Sequence, residues 1–232
     1  MVTGEIVVLV LTVASRKGGA GKSSISAHLA VEAEKSGSGP VAVIDADPMA
    51  GITGWYDARK AETPVCVEPD ALKAHGLEKT LASLRASGIK VVIIDTPPSA
   101  SNDVGMLIAA ADLILVPVIP SPNDLRAIGE TLDLVDSFGK PLLFVINNAA
   151  TNAKLTNQAL TLLSQHGTVA AVDGQPVIIR TRTDFRSAMT DGRTAREIKA
   201  DSKASEEIAA LWTAIKLRME REKKRGRASS TA

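Results

Sequence analysis

Seven stretches of the chain are apolar at nearly every position and rich in β-branched residues: 6–14, 41–45, 64–67, 89–95, 113–117, 142–147 and 176–179. Between them, apolar positions recur at helical spacing over 22–35, 77–87, 103–110, 123–138 and 154–166. A strand that is apolar throughout is one covered on both faces. The pattern therefore predicts an α/β fold, a mostly parallel twisted sheet with helices on both faces. Gly and Pro at 37–40, 139–141 and 174–176 read as turns and not as linkers. With no internal repeat, a single domain over 1–232 is the expectation. Beyond Thr183 the pattern becomes helical. It gives two short helices, then a last helix whose Ile208, Leu211, Trp212 and Ile215 form a stripe suited to packing on the body. Residues 225–232 read as a frayed polar tail.

The longest apolar run, 6–14, is far short of the ~20 residues of a spanning helix. It also lacks the basic flank and small-residue cleavage site of a signal peptide, so a soluble cytoplasmic protein is expected. At 232 residues and 45% hydrophobic, the chain can bury a full core and is not a disordered one. One cysteine, Cys66, gives no disulfide framework and no cysteine zinc site, and His28, His75 and His166 are scattered.

The strongest chemical signal follows the first strand: Lys17-Gly18-Gly19-Ala20-Gly21-Lys22-Ser23-Ser24. A loop that wraps phosphates needs glycines, because its N–H groups converge on the anion in conformations that a Cβ obstructs. Lys22 supplies a point charge for the outer phosphates and the Ser23 hydroxyl suits Mg2+. The helix that starts here aims its positive end at the ligand. Two later strands end in carboxylates, Asp45-Ala46-Asp47-Pro48 and Asp95-Thr96-Pro97-Pro98. Groups at the carboxyl ends of parallel strands face the crevice in which such sheets bind ligands.

The general phosphate loop would have glycine where Arg16 stands; here a lysine opens the motif instead. The loop, followed in order by the two aspartate motifs, resembles the deviant Walker A motif of the ParA/MinD superfamily of P-loop NTPases. Within it the chain looks most like the short ParA-type partition ATPases, over roughly residues 6–215. The resemblance implies ATP and Mg2+ as cofactors and slow, partner-stimulated hydrolysis to ADP and phosphate. It makes Lys17 the lysine that reaches across a nucleotide-sandwiched homodimer and Lys22 the lysine acting in cis. A second cation of this kind offsets charge developing during transfer. Asp47 would orient the attacking water, so that Lys17, Lys22 and Asp47 form the catalytic set. Asp95 resembles the Walker B aspartate and would hold Mg2+ with Ser23, with Asp45 in support. Gly18, Gly19, Ala20, Gly21, Lys22, Ser23 and Ser24 would wrap the phosphates. The family often places an adenine-contacting asparagine at the end of the strand over 142–147, which gives Asn147 and then Asn148. A turn-forming pair is an equal reading of those two. Met49 stands where many family members carry glutamine. Residues 117–122 resemble a proline-rich segment near the dimer interface, and equally suit a rigid connection into the next helix.

The formal net charge of +1 hides an asymmetry. Residues 1–179 hold 13 Lys/Arg against 18 Asp/Glu, and residues 180–232 hold 14 against 8. A basic C-terminal portion on an acidic body suggests a polyanionic partner. Arg180, Arg182, Arg186, Arg193, Arg196 and Lys199 are the candidate contacts to DNA phosphates, and Phe185 reads as a packing residue. The resemblance then implies an ATPase that dimerises on ATP, binds DNA non-specifically as a nucleoid-associated protein, and segregates or positions DNA. A ParB-like or cargo adaptor would stimulate hydrolysis. Because the phosphate loop begins so early, no N-terminal helix-turn-helix domain is expected. Three alternatives share the chemistry: positioning of a protein cargo such as a chemoreceptor cluster or DNA-transfer complex, a MinD-like membrane-cycling regulator, or a metabolic ATPase or reductase. The basic end of the last helix has little apolar face beyond Leu217 and Met219, which disfavours membrane anchoring. A single cysteine disfavours a reductase.

Overall fold

In a computed structural model of the chain, which describes residues 8–98, 102–150 and 153–229, strands and helices alternate for most of the length. In order they are β1 (Leu9–Val13), α1 (Lys22–Lys35), β2 (Val41–Asp45), α2 (Gly51–Asp57), β3 (Val65–Val67), α3 (Pro69–His75), α4 (Leu77–Ala86) and β4 (Val91–Asp95). There follow α5 (Asn102–Ala109), β5 (Leu113–Val118), α6 (Pro122–Asp136), β6 (Leu142–Ala149), α7 (Ala153–His166), β7 (Thr168–Val169), β8 (Ala171–Val172), β9 (Gln175–Pro176) and β10 (Ile178–Arg180). The chain closes with α8 (Thr183–Thr190), α9 (Ala195–Ile198) and α10 (Lys203–Ser229).

Seven strands lie side by side in the order β10-β6-β5-β1-β4-β2-β3, and β7 adds a short pairing to β6. Every pairing in this sheet is parallel. Alternate residues of each apolar strand serve opposite layers. Leu11, Val13, Val41, Val43, Val91 and Ile93 face Ile25 and Leu29 of α1, Trp55 of α2, and Ile208, Leu211, Trp212 and Ile215 of α10. Ala42, Ile44, Val92 and Ile94 face Leu107 of α5 and the leucines of α3 and α4. Ile114, Val116, Phe144 and Ile146 face α5, α6 and α7. Two covered faces explain why the strands carry no polar alternation.

Four details differ from the sequence reading. The short helices α2 and α3 were not expected; each has seven residues, too few for a periodic pattern, and α2 contains Gly51 and Gly54. The single strand expected over 176–179 is two: β8 and β9 form a hairpin at Asp173-Gly174, where φ is +50° and +76°, and β10 then joins the sheet beside β6. Positive φ at both turn residues matches the right-handed twist of a two-residue hairpin. The first strand begins at Leu9, and residues 6–7 lie outside the described residues. Finally, α10 continues through residues 225–229, where a frayed tail was expected.

Trp212 is 1% exposed and donates its indole N–H to Ser38 Oγ at 3.2 Å, so the last helix is tied to the turn after α1. Trp212→Ala is expected to cost about 3–5 kcal/mol, read by urea unfolding. A cost under about 1 kcal/mol would show that α10 is not part of the core. Cys66 is half-buried; desolvation, then the nearby carboxylates, push its thiol up to about 12, so it stays protonated. Among the described residues no helix is long and apolar enough to cross a membrane.

Candidate nucleotide-binding site

The sheet register assembles the site. Val13 lies opposite Asp95 and Asp45 opposite Asp95, so the ends of β1, β4 and β2 form one crest. From β1 the chain loops through Lys17–Gly21 and enters α1 at Lys22. Gly21 occupies the N-cap with φ +86°. A Cβ there would stand 2.3 Å from the Asn147 amide nitrogen, so this corner of the cradle admits only glycine.

Lys22 is 7% exposed. Burial lowers its pKa, and the charges of Asp95 and Asp47 partly offset that. Ser23 Oγ donates to Asp95 Oδ2 at 2.6 Å and Ser26 Oγ to Asp95 Oδ1 at 3.1 Å. Asp95 is fully buried. Burial above all, and the charge of Asp45, push it up to about 7 against the pull of those hydrogen bonds and of Lys22. A carboxylate desolvated this far is poised to gain from a cation. Among the described residues no three His, Cys, Asp or Glu converge as a closed metal site. One or two carboxylates with a hydroxyl, leaving positions for water and phosphate oxygens, is the donor set that suits Mg2+.

Asp45 directs its hydrogen bonds to groups other than Ser23. Its Oδ2 accepts from Thr53 N at 2.8 Å and Thr53 Oγ1 at 2.9 Å, and its Oδ1 from Asp47 N at 3.2 Å. It thus holds the loop after β2 and the first turn of α2. Asp47 Oδ1 accepts from Met49 N at 3.0 Å, and Met49 is 85% exposed. Lys17 Nζ meets Asp124 Oδ2 at 2.6 Å, at the start of α6, where Ser121 Oγ caps the Asp124 N–H and bonds its carboxylate. The lysine that opens the loop therefore already has an anion in its own subunit.

Asn147 lies at the end of β6 but donates its amide to Ala20 O at 2.7 Å. One of the two N–H groups of that amide thus braces the phosphate loop. Asn148, at φ +50°, accepts from Thr181 Oγ1 at 2.9 Å. Both line a cleft of about 380 Å3 with Gly19, Gly21, Ser24, Phe185 and Met189. A cleft of that size beside the loop accommodates a nucleoside.

Residues 11–195 match the family described as the CobQ/CobB/MinD/ParA nucleotide binding domain. The chain belongs to that family. Its relatives include "Maintenance of carboxysome distribution protein A" of Halothiobacillus neapolitanus, 29% identical over 88% of this chain and 95% of that protein. "Protein ParA" of Rhizobium radiobacter is 34% identical over 54% of this chain and 55% of that one. Among solved structures, the septum site-determining protein MinD of Pyrococcus horikoshii, complexed with Mg-ADP, superposes with a TM-score of 0.70 at 16% identity. That match covers 90% of this chain and 96% of MinD. The fold is that of the MinD/ParA P-loop NTPases.

Within this MinD/ParA fold the six basic residues proposed for DNA do not form one free surface. Arg182 is engaged by Glu207 through Nε and Nη2, at 3.1 and 2.6 Å. Arg193 pairs with Asp191 at 2.6 Å, and Arg196 lies 3.6 Å from buried Glu32. Arg180, Arg182 and Arg186 line the cleft beside the loop. Lys199 is exposed. Two of these partners are remote in sequence, Glu207 lying 25 residues beyond Arg182 and Glu32 on α1, whereas Asp191 is two residues from Arg193. The sequence reading also missed Ser26, Thr53 and Asp124. Ser26 had a signal, being one helical turn beyond Ser23. Ser121 three residues before Asp124 marks a helix start, but nothing local points from Asp124 to Lys17. For Thr53 there was no signal.

Proposed function

We propose that this protein is an ATP- and Mg2+-dependent ATPase of the ParA kind. In this reading it closes into a homodimer over nucleotide, binds DNA non-specifically in that state, and positions a cargo until an adaptor stimulates hydrolysis. The observation that carries the reading is the buried Lys22 beside Ser23 and Asp95 at the crest of a parallel sheet, with a further lysine, Lys17, at the loop entrance. Gly18–Ser24 hold the phosphates, and Ser23 and Asp95, with Asp45 nearby, hold the metal. When bound, the metal neutralises phosphate charge. Lys22, desolvated, stabilises the outer phosphates, and Asp47, on a half-exposed loop, orients water. Lys17 leaves Asp124 to serve the partner's site, so each site is completed only by assembly. The protein works in the cytoplasm on the nucleoid.

The cargo is DNA in a partition reading. A second reading, a large protein assembly, is favoured by the nearly end-to-end match to a relative named for carboxysome distribution. For the DNA contact, Lys199 and the exposed Lys216, Arg221, Lys223 and Lys224 of α10 are better placed than the paired arginines. The test is DNA binding with and without ATP. Binding is expected only with ATP, whatever the DNA sequence, and salt-dependent by about −0.9 in log–log slope per phosphate contact. Lys223→Glu with Lys224→Glu should weaken it and flatten that slope by about two contacts. Arg182→Ala should lower stability instead. ATP-dependent recruitment to vesicles without DNA binding would overturn this reading in favour of a membrane-cycling regulator.

A further inference from the structure

Between the carboxylate crest and the segment that carries Arg193, Arg196 and Lys199 lies one short helix, α2, and it is fixed at both ends: on Asp45 of the crest at one, and at the other by side chains that the nucleotide chemistry does not require. At its near end the first turn hangs on Asp45 through the N–H and hydroxyl of Thr53. Gly51 lies beside the phosphate loop: an added Cβ would make ordinary contact with Ser23 Oγ, at 3.4 Å. Whatever alters the partners of Asp45 alters what holds α2.

At the far end, Trp55 donates its indole N–H to Arg193 O at 2.9 Å. Arg59, just past the helix, lies over the Trp55 ring with its guanidinium carbon 4.9 Å from the centroid. Its guanidinium donates to Gly192 O at 2.7 Å and to both carboxylate oxygens of Glu197 at 2.9 and 2.7 Å, and it also reaches Thr63 O. The Arg59 side chain is 3% exposed. Glu197 in turn closes a capping box with Thr194 at the start of α9. Gly192, at φ +74°, packs so tightly that a Cβ would stand 2.3 Å from Arg59 N. Thus the carbonyls of residues 192 and 193 and the carboxylate of 197 are three fixed points held by two side chains at one end of α2. Burying an ion pair is a poor way merely to add stability, but a planar fork with fixed donors holds position well. Close-packed contacts of this kind pass a shift on and do not absorb it.

We propose that Trp55 and Arg59 are positioning residues through which α2 couples the Asp45 end of the nucleotide site to residues 186–199, so that nucleotide binding resets that basic segment. This rests on the ATPase reading above for the nucleotide, but not on DNA being the partner. Its test uses the full chain, a non-hydrolysable ATP analogue with Mg2+, and hydrogen exchange of residues 186–199. In the wild type the analogue should change protection of this segment at least threefold. In Trp55→Phe, which keeps an aromatic ring, though a smaller one, and loses the N–H, and in Arg59→Lys, which keeps the charge and loses the fork, the change should fall at least threefold. Analogue affinity in both should stay within about twofold of wild type. Thr53→Val, at the opposite end of α2, should give the same loss, which a purely structural role for Arg59 would not. Any ATP-induced gain in DNA affinity should shrink in parallel. Folded variants that retain the full protection change overturn the proposal, as does a wild type that binds the analogue with no response in 186–199. A wild-type response that the variants lose, in a protein that never binds DNA, supports the coupling and removes the DNA reading.

Discussion

Asp47→Ala is expected to bind nucleotide with near wild-type affinity and to hydrolyse it about a hundredfold or more slowly. Asp47 lies on the loop between β2 and α2 and is not part of the packed crest. Its carboxylate bonds the neighbouring Met49 N–H, a contact whose loss the exposed loop tolerates. Removing it therefore leaves the glycine cradle, Lys22 and the Ser23–Asp95 pair in place. What disappears is the carboxylate proposed to orient the attacking water, and orienting or proton-accepting groups typically contribute 10²–10⁴ in rate. The consequence under the proposed cycle is a long-lived nucleotide-bound dimer. Single-turnover phosphate release against nucleotide affinity separates the two effects. A rate within threefold of wild type would remove Asp47 from the chemistry and leave it as a loop residue.

Asp95→Asn is expected to make the nucleotide-free protein more stable at pH 8 while abolishing its response to Mg2+. Asp95 takes up its proton at about 7 in the fold, against an ordinary value of 3.8. Between those values the folded chain holds a proton that the unfolded chain has released. Stability therefore falls as pH rises through that window, and above pH 7 the deficit is complete. The full shift corresponds to about 4 kcal/mol as an upper bound. Asparagine is neutral and can still pair with Ser23 and Ser26 in one orientation, so a gain of about 1–3 kcal/mol is reasonable. It should vanish near pH 4, where the wild-type carboxyl is itself protonated. Thermal unfolding at pH 4 and pH 8, each with and without Mg2+ and nucleotide, reads both halves. A variant less stable than wild type at pH 8 would mean that the carboxylate is better solvated or paired than its burial indicates. A stabilised variant that loses metal dependence would identify Asp95 as a group retained at the expense of the empty fold.

What was legible in the sequence follows from distance along the chain. The phosphate loop occupies eight consecutive residues, so its glycines, lysines and serines can be read as one motif without knowing the fold. The two aspartate motifs close apolar strands, and parallel topology brings strand ends to one edge whatever the strand order. The stripe Ile208, Leu211, Trp212 and Ile215 has helical spacing and lies against the core. What the sequence does not show are contacts between remote segments. Asn147 meets Ala20 across 127 residues, and Arg182 meets Glu207 across 25. A count of basic residues registers charge but not whether a carboxylate from another helix has already taken it. The helix α2 escaped notice because seven residues with two glycines carry no period, yet it is what connects the crest to the C-terminal segment.

The strand order also bears on how the chain is made. β1 and β2 are joined by α1 in sequence, but β4 lies between them in the sheet. Nothing pairs the first strand until residues 91–95 arrive, and its other neighbour, β5, comes later still. Long-range parallel pairing of this kind forms slowly. On the ribosome, the emerging phosphate loop thus precedes by about seventy residues the strand that would fix its shape, and the apolar strands made before that point wait exposed for their partner.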